Sequence, residues 1–216
     1  MHIDIGEALR YCGAGEGNEE LRAQAEAIAA GITEIPRYVY RVFSLERTAE
    51  GFFLPGANIT LTGRTAQIML ASSAQVAVLA CTLGVGFDTR LRALQVRDMV
   101  KAVILDGCGS ALVEQGCDAA ETEIRERFPS LYLTDRFSPG YGDLPLSLQE
   151  PICAALDAQR RLGVTVTPSL LLNPCKTVTA FIGLSEKPQR ARIRGCAHCS
   201  MKDICTLRKG GKHCGL

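Results

Sequence analysis

A nine-residue segment, residues 135–143, combines reactive and turn-forming side chains more densely than any other stretch of the chain. It reads DRFSPGYGD, and we call it the motif loop. Arginine offers a planar fork that suits a carboxylate, and tyrosine offers a flat face with a hydroxyl. Proline fixes φ, while glycine lets a backbone approach a ligand closely. The segment therefore suits a small zwitterionic ligand with an aromatic or cationic part, and the alternative is a Pro-Gly surface turn between a strand and a helix.

Four cysteines close to the C-terminus form a second candidate site. They are spaced C-x2-C-x5-C-x8-C: Cys196, Cys199, Cys205 and Cys214. Four thiolates at such short separations can enclose a tetrahedral Zn²⁺ or an iron–sulfur cluster. The spacing matches neither a ferredoxin nor a zinc ribbon, and His198 or His213 could replace one cysteine. The alternative is a tail with free thiols.

Composition restricts the class of protein. The 216 residues include 24 Lys and Arg against 23 Asp and Glu, a net charge of +1. No basic surface is therefore expected for nucleic acid or anionic lipid, and no apolar run is long enough to span a membrane. The N-terminus does not resemble a signal peptide. Because ten cysteines occur without a secretory signal, we expect a reducing, cytoplasmic environment in which clustered cysteines bind metal.

Hydrophobic periodicity and turn residues predict both helices and hairpins. The predicted helices are 18–31, 64–73, 88–106 (continuing through or breaking near Val96), 109–128 and 147–162. The predicted strands are paired strands within 37–61, then 75–81, 164–166 and 177–181. Short Gly/Pro turns between the first strands favour hairpins. The sequence thus predicts an α+β fold, a mainly antiparallel sheet with packed helices, over residues 1–187. A Cys-rich, basic, metal-binding tail would follow at 188–216.

A strand-to-helix glycine pair supports a competing hypothesis. Gly84 and Gly86 follow a predicted strand and precede a predicted helix, as in a Rossmann-type S-adenosylmethionine methyltransferase, with Asp106 as the acid for a ribose. The residues after Gly86 provide too few alternating strands for a doubly wound sheet. We therefore assign the two glycines a structural role.

The motif loop also resembles a known sequence pattern. Arg-x-x-Pro-Gly-Tyr, at residues 136–141, resembles the S-adenosylmethionine motif of the activation domain of vitamin B12-dependent methionine synthase. Its extension through Asp143 to Pro145 and Leu146 resembles the small stand-alone relatives of that domain. Similar residues occur at 80–84, 105–106, 162–168 and 173–180, so that the resemblance covers about residues 5–185.

The resemblance implies a fold and a function. It implies the activation-domain fold and an S-adenosylmethionine-binding protein that supports reductive methylation, and hence reactivation, of cobalamin. The chain lacks the cobalamin signature Asp-x-His-x-x-Gly, so the cobalamin would be carried by a partner, either a methionine synthase core or another corrinoid protein. The alternative is a non-catalytic binding or electron-transfer module with a metal-bearing tail.

The resemblance also implies site residues. Arg136 would bind the ligand carboxylate, the backbone at Ser138 and Gly140 would contact the ligand, and Tyr141 would line the site. Glu114 would pair with the ligand ammonium, with Glu121 or Glu123 as alternatives on the same predicted helix. No residue is assigned a catalytic role.

Two features depart from the family pattern. Ile182 falls where the larger family has an aromatic residue. The family's domain also lacks the Cys-rich tail and takes its electron from a separate reductase. Reactivation needs an electron, and this requirement favours an iron–sulfur cluster over zinc in the tail of this chain.

Overall fold

The computed structural model describes residues 3–13 and 18–188. The helices of this part are α1 (Ile5–Tyr11), α2 (Glu19–Ala30), α3 (Gly63–Met69), α4 (Val85–Arg97), α5 (Met99–Arg127), α6 (Gln149–Leu156) and α7 (Ala158–Leu162), and a 3-10 turn spans Leu146–Leu148. The strands are β1 (Arg37–Ser44), β2 (Glu46–Arg47), β3 (Gly51–Leu54), β4 (Ile59–Thr62), β5 (Gln75–Thr82), β6 (Tyr132–Leu133), β7 (Thr165–Val166), β8 (Leu172–Asn173) and β9 (Thr177–Ser185).

These strands form three sheets. The largest has the order β1-β5-β9-β6, and the others are β2-β3-β4 and β7-β8. Strand β6 is antiparallel to β9, and the smaller sheets are antiparallel throughout. The predicted α+β class, with antiparallel sheets and packed helices, is confirmed. A sheet of four strands cannot hold five parallel strands in series, so the described part of the chain lacks the doubly wound sheet of a Rossmann-type methyltransferase.

The described residues divide into two compact units. The first unit contains residues up to 39 and residues 80–121 and 157–178, and the second contains residues 40–79, 122–156 and 179–188. Phe87, Leu105 and Leu112 are buried in the first unit, and Leu61, Met69, Phe137 and Phe181 are buried in the second. Burial of these large side chains supplies the main stabilisation of each unit.

The long helix α5 corrects the predicted helix boundaries. Helices were expected at 88–106, either continuing through or breaking near Val96, and at 109–128. The structure has a break close to Val96: α4 ends at Arg97, and α5 runs unbroken from Met99 to Arg127. The break falls at Asp98, whose extended backbone (φ −156°, ψ 95°) stops α4 and whose carboxylate accepts a hydrogen bond from the Lys101 amide at 3.0 Å. Gly109 does not end a helix. A Cβ there would lie 2.4 Å from Cζ of Phe87, so this glycine permits close packing inside α5.

The predicted helix at 147–162 is also divided. It begins with the 3-10 turn, continues as α6 and resumes as α7. Asp157 lies between the two helices in the left-handed region, with φ 52° and ψ 44°. A residue in the left-handed region cannot continue a right-handed α-helix, so the helix is interrupted between α6 and α7.

Helix α2 closely matches its predicted range. Asn18 precedes it, and its side-chain oxygen accepts a hydrogen bond from the Leu21 amide at 3.0 Å, as expected of an N-cap. Helix α1 was not predicted, although Asp4 caps it in the same way through the Glu7 amide at 3.0 Å. In the described residues, no helix has the length and apolar character that crossing a bilayer requires.

Candidate functional site

The motif loop belongs to the second unit and is anchored to β9 by one residue pair. The backbones of Phe137 and Phe181 exchange two hydrogen bonds, with N···O distances of 3.0 and 2.8 Å. Their rings lie 5.7 Å apart between centroids, and both side chains are buried. Arg136 and Ser138 flank this pair and are half-buried. The buried pair therefore fixes the chain on both sides of these two candidate residues.

Two consecutive turns follow the anchored pair. The Tyr141 amide donates to the Ser138 carbonyl at 3.1 Å, with Pro139 and Gly140 at the central positions. Gly140 has φ +87°, as a type II turn requires at its third residue. The Leu144 amide then donates to the Tyr141 carbonyl at 3.1 Å, and the Gly140 amide donates to the Leu144 carbonyl at 2.8 Å. The structure thus brings Ser138, Gly140 and Tyr141 together in one compact double turn.

Exposure within the double turn differs from residue to residue. Pro139 and Leu144 are buried, whereas Gly140 is exposed and Tyr141 is 37% exposed. Pro139 and Leu144 hold the turn to the protein, whereas Gly140 and Tyr141 face solvent. A glycine backbone and a tyrosine ring are thus accessible to a small ligand, four and five residues after the half-buried Arg136.

The predicted ammonium partner lies on α5. Glu114 is half-buried and belongs to the first unit, as does its half-buried alternative Glu121. Glu123 belongs to the second unit, is exposed and accepts a hydrogen bond from the Tyr40 hydroxyl at 3.0 Å. Ile182, at the position where the family has an aromatic residue, is fully buried.

Asp143 has a role that sequence reasoning did not assign. Its carboxylate accepts hydrogen bonds from the Arg64 and Thr65 amides at 2.5 and 2.9 Å, at the start of α3. Hydrogen bonds from the Thr65 side chain and from these amides lower the pKa of Asp143 to about 2. The carboxylate is therefore ionised at neutral pH and ties the motif loop to α3.

Asp106 is a helix residue and not an acid at the end of a strand. It lies within α5, and its Oδ1 pairs with Nζ of Lys176 at 2.9 Å. The same Nζ lies 2.8 Å from Oγ of Ser110, one helical turn further along. This ion pair gives Asp106 a structural partner within the first unit.

The glycine turn before α4 is held by hydrogen bonds within the first unit. The Thr82 hydroxyl accepts from the Gly84 amide at 3.1 Å and lies 2.8 Å from the Thr177 hydroxyl. The Leu83 amide donates to the Lys176 carbonyl at 3.0 Å. The turn is thus bound to the segment around Lys176, in agreement with the structural role assigned to its glycines.

Cys175 has an unusual partner in Asp88 of α4. Its amide and its thiol both donate to Oδ2 of Asp88, at 2.8 and 3.1 Å. Within residues 3–13 and 18–188, the buried Oδ1 of Asp88 has no hydrogen-bond partner. Partial burial, and then the hydrogen bond and the charge of Asp88, raise the pKa of the Cys175 thiol. The thiol is exposed but is held in its unreactive protonated form.

We therefore expect Cys175 to react slowly with iodoacetamide at pH 7.5, because the thiolate is the nucleophile. Asp88→Asn should accelerate alkylation of Cys175, since it removes the negative charge that disfavours the thiolate. Peptide mass spectrometry measures the rate at each cysteine. Buried Cys108, whose pKa burial raises to about 11, serves as the unreactive reference. An unchanged rate at Cys175 in the Asp88→Asn variant would refute this account.

A cavity of about 390 Å³ lies in the first unit, apart from the predicted ligand residues. Its walls are mainly isoleucine, leucine and alanine, with Glu26 and Glu34 among its polar residues. Glu34 pairs with Arg90 at 3.3 Å and Glu26 with Arg22 at 3.2 Å. None of the residues assigned to ligand binding lines this cavity.

The predicted metal ligands Cys196, Cys199, Cys205 and Cys214 lie outside the described residues. Within those residues, no group of three or more His, Cys, Asp and Glu side chains could hold a metal ion. The metal site of the tail remains a prediction from the sequence.

Comparison with known proteins shows the fold. No protein-family model matches the chain, and no curated protein matches it. Among solved structures, the chain is similar to the MetH reactivation domain bound to AdoHcy, with a TM-score of 0.61 and 16% sequence identity. The match covers 90% of this chain and 73% of that one. The fold implied by the motif loop and its neighbouring residues is thereby confirmed: this chain has the fold of a methionine synthase reactivation domain.

Proposed function

We propose that this protein binds S-adenosylmethionine at the motif loop and supports reductive methylation of cobalamin held by a partner protein. The observation that carries the proposal is the double turn formed by residues 138–144. It occurs in a chain with the fold of a reactivation domain that was crystallised with AdoHcy. An arginine, an exposed glycine backbone and an exposed tyrosine lie within six residues of one another in this segment.

The hydrogen bonds of the loop restrict which groups can contact the ligand. The Gly140 amide and the Ser138 carbonyl are already used within the double turn. The proposal therefore assigns ligand contact to the Gly140 carbonyl and the Ser138 amide. Arg136 binds the carboxylate of the methionine moiety through two parallel hydrogen bonds, and Tyr141 provides a flat apolar face.

Glu114 is proposed as the partner of the ligand ammonium. A half-buried carboxylate can form a stronger charge-assisted hydrogen bond than an exposed one, because solvent screens it less. Glu123 suits this role less well than Glu114, since it is exposed to solvent.

The proposed chemistry requires a corrinoid partner and one electron. Oxidised, inactive cobalamin takes up one electron at cobalt, and the methyl group of S-adenosylmethionine is then transferred to that cobalt, leaving S-adenosylhomocysteine. The residues of this chain bind and orient the methyl donor. The electron is supplied either by a cluster on the tail cysteines or by a separate reductase.

Titration calorimetry tests ligand binding directly. We expect S-adenosylmethionine and S-adenosylhomocysteine each to bind with a stoichiometry of about one, because the motif loop provides a single site. Saturating ligand should also raise the unfolding temperature, since a ligand at 100 times its Kd stabilises the folded state by about 2.7 kcal/mol. Absence of heat and of a thermal shift, under conditions that detect a control ligand, would contradict the proposal.

A spectroscopic assay then separates reactivation from simple binding. The protein is mixed with a corrinoid protein in its cob(II)alamin form, a one-electron reductant and S-adenosylmethionine. Conversion to methylcobalamin that depends on this protein supports reactivation. Ligand binding without such conversion would instead support the non-catalytic binding module.

A further inference from the structure

The N-terminus of α3 is capped from a distant part of the chain. Thr62 immediately precedes the helix in an extended conformation (φ −115°, ψ 172°), but its side chain forms no capping hydrogen bond. The Arg64 and Thr65 amides instead donate to the carboxylate of Asp143, which lies 79 and 78 residues further along the chain. The residue that caps the helix is thus the last residue of the motif loop.

The backbone around this contact leaves room for the carboxylate and for little else. A Cβ added to Gly63 would lie 2.6 Å from Oδ2 of Asp143, and one added to Gly142 would lie 2.4 Å from Oγ1 of Thr65. Both distances are shorter than non-bonded atoms tolerate. Two glycines thus let the loop and the helix approach closely enough for the carboxylate to span two consecutive amides.

Asp143 lies next to the part of the loop that would contact the ligand. The second turn, from Tyr141 to Leu144, contains Asp143, and the Gly140 amide closes it on the Leu144 carbonyl. Phe137 fixes the start of the loop to Phe181, and Asp143 fixes its end to α3. The exposed Gly140 and Tyr141 lie between these two attachment points.

We propose that Asp143 is a positioning residue: by binding the first amides of α3, it holds Gly140 and Tyr141 in the geometry that receives S-adenosylmethionine. The identity of the ligand rests on the proposed function above, whereas the attachment of the loop does not. Holding the loop before binding lowers the entropic cost of ordering it, and therefore raises affinity.

The first test is Asp143→Ala in the full-length, ligand-free protein. Loss of a helix cap should shift the opening equilibrium of the attached loop roughly fivefold. We therefore expect the hydrogen-bonded amides of Gly140, Tyr141 and Leu144 to exchange with deuterium roughly fivefold faster. Affinity for S-adenosylmethionine should fall by a similar factor.

Thr62 provides matched controls at the same helix. Thr62→Ala should change neither readout, because the Thr62 side chain makes no capping bond. The double variant Thr62→Asp with Asp143→Ala places a carboxylate at the ordinary N-cap position, which restores the helix cap without attaching the loop. We expect the unfolding temperature to recover, while fast loop exchange and weak binding persist.

Each outcome decides between positioning and simple helix stabilisation. Unchanged loop exchange in Asp143→Ala would overturn the proposal. Recovery of loop protection and affinity in the double variant would overturn it as well, because helix stability alone would then explain the effect. If the wild type does not bind S-adenosylmethionine, the proposed function fails, but the exchange data still decide whether Asp143 holds the loop.

Discussion

Arg136→Ala is expected to weaken S-adenosylmethionine binding by about 2–5 kcal/mol, the usual cost of removing one partner of a desolvated, hydrogen-bonded charge pair. This corresponds to a rise in Kd of roughly 30-fold to 4,000-fold. Arg136 is half-buried beside the buried pair Phe137 and Phe181. A guanidinium in such a place is less screened by water than one on the surface. Titration calorimetry measures the change, and S-adenosylhomocysteine should lose a similar amount because it has the same carboxylate.

Matched variants distinguish the contribution of the two guanidinium hydrogen bonds of Arg136 from that of its positive charge. Arg136→Lys keeps the positive charge but cannot form two parallel hydrogen bonds, so its affinity should lie between those of wild type and Arg136→Ala. Arg22→Ala removes an exposed arginine that pairs with Glu26 on its own helix, and it should bind as wild type does. Equal affinity for Arg136→Ala and wild type, with both proteins folded, would show that the carboxylate binds elsewhere.

The same measurement tests Glu114. Glu114→Gln should weaken binding of S-adenosylmethionine because an amide cannot neutralise the ligand ammonium. Glu121→Gln and Glu123→Gln should leave affinity unchanged. A larger effect of Glu121→Gln than of Glu114→Gln would show that the ammonium partner is Glu121, two helical turns further along α5.

Sequence signals correctly predicted the elements whose conformation is determined by residues a few positions away. The apolar run from Gln75 to Cys81 indicated the buried strand β5, and Asn18 indicated the start of α2. Pro139 and Gly140 indicated a turn, which the structure shows as the first half of the double turn. In each case a propensity or a capping residue within a few positions determines the conformation.

The features that the sequence did not reveal depend on contacts between distant residues. Gly109 was expected to lie near a helix boundary, but it is needed for contact with Phe87, 22 residues earlier. The bond from Cys175 to Asp88 spans 87 residues, and that from Thr65 to Asp143 spans 78. Local propensity carries no information on such pairs, which explains why the role of Asp143 became evident only from the structure.

We expect the Cys-rich tail to bind metal. Cys199→Ser or Cys205→Ser should each cause the protein to lose that metal. Thiolates bind a metal only when deprotonated, and a tetrahedral site that loses one of four ligands loses most of its affinity. Cys153→Ser is the matched control. Cys153 lies in α6, and burial raises the pKa of its thiol to about 11. Elemental analysis of anaerobically purified protein measures the metal in each variant.

The identity of the metal decides the source of the electron. With an iron–sulfur cluster the anaerobic protein will be brown, absorb broadly in the visible range and bleach with dithionite, because the cluster accepts an electron. With zinc it will be colourless with about one equivalent of metal, and zinc cannot carry an electron because it has no accessible second oxidation state. A cluster would let this protein supply both the methyl donor and the electron, whereas zinc would require a separate reductase. Protein that contains no stoichiometric metal, although purified anaerobically from iron-replete cells, would leave the tail as free thiols and remove the reason to assign it any electron transfer.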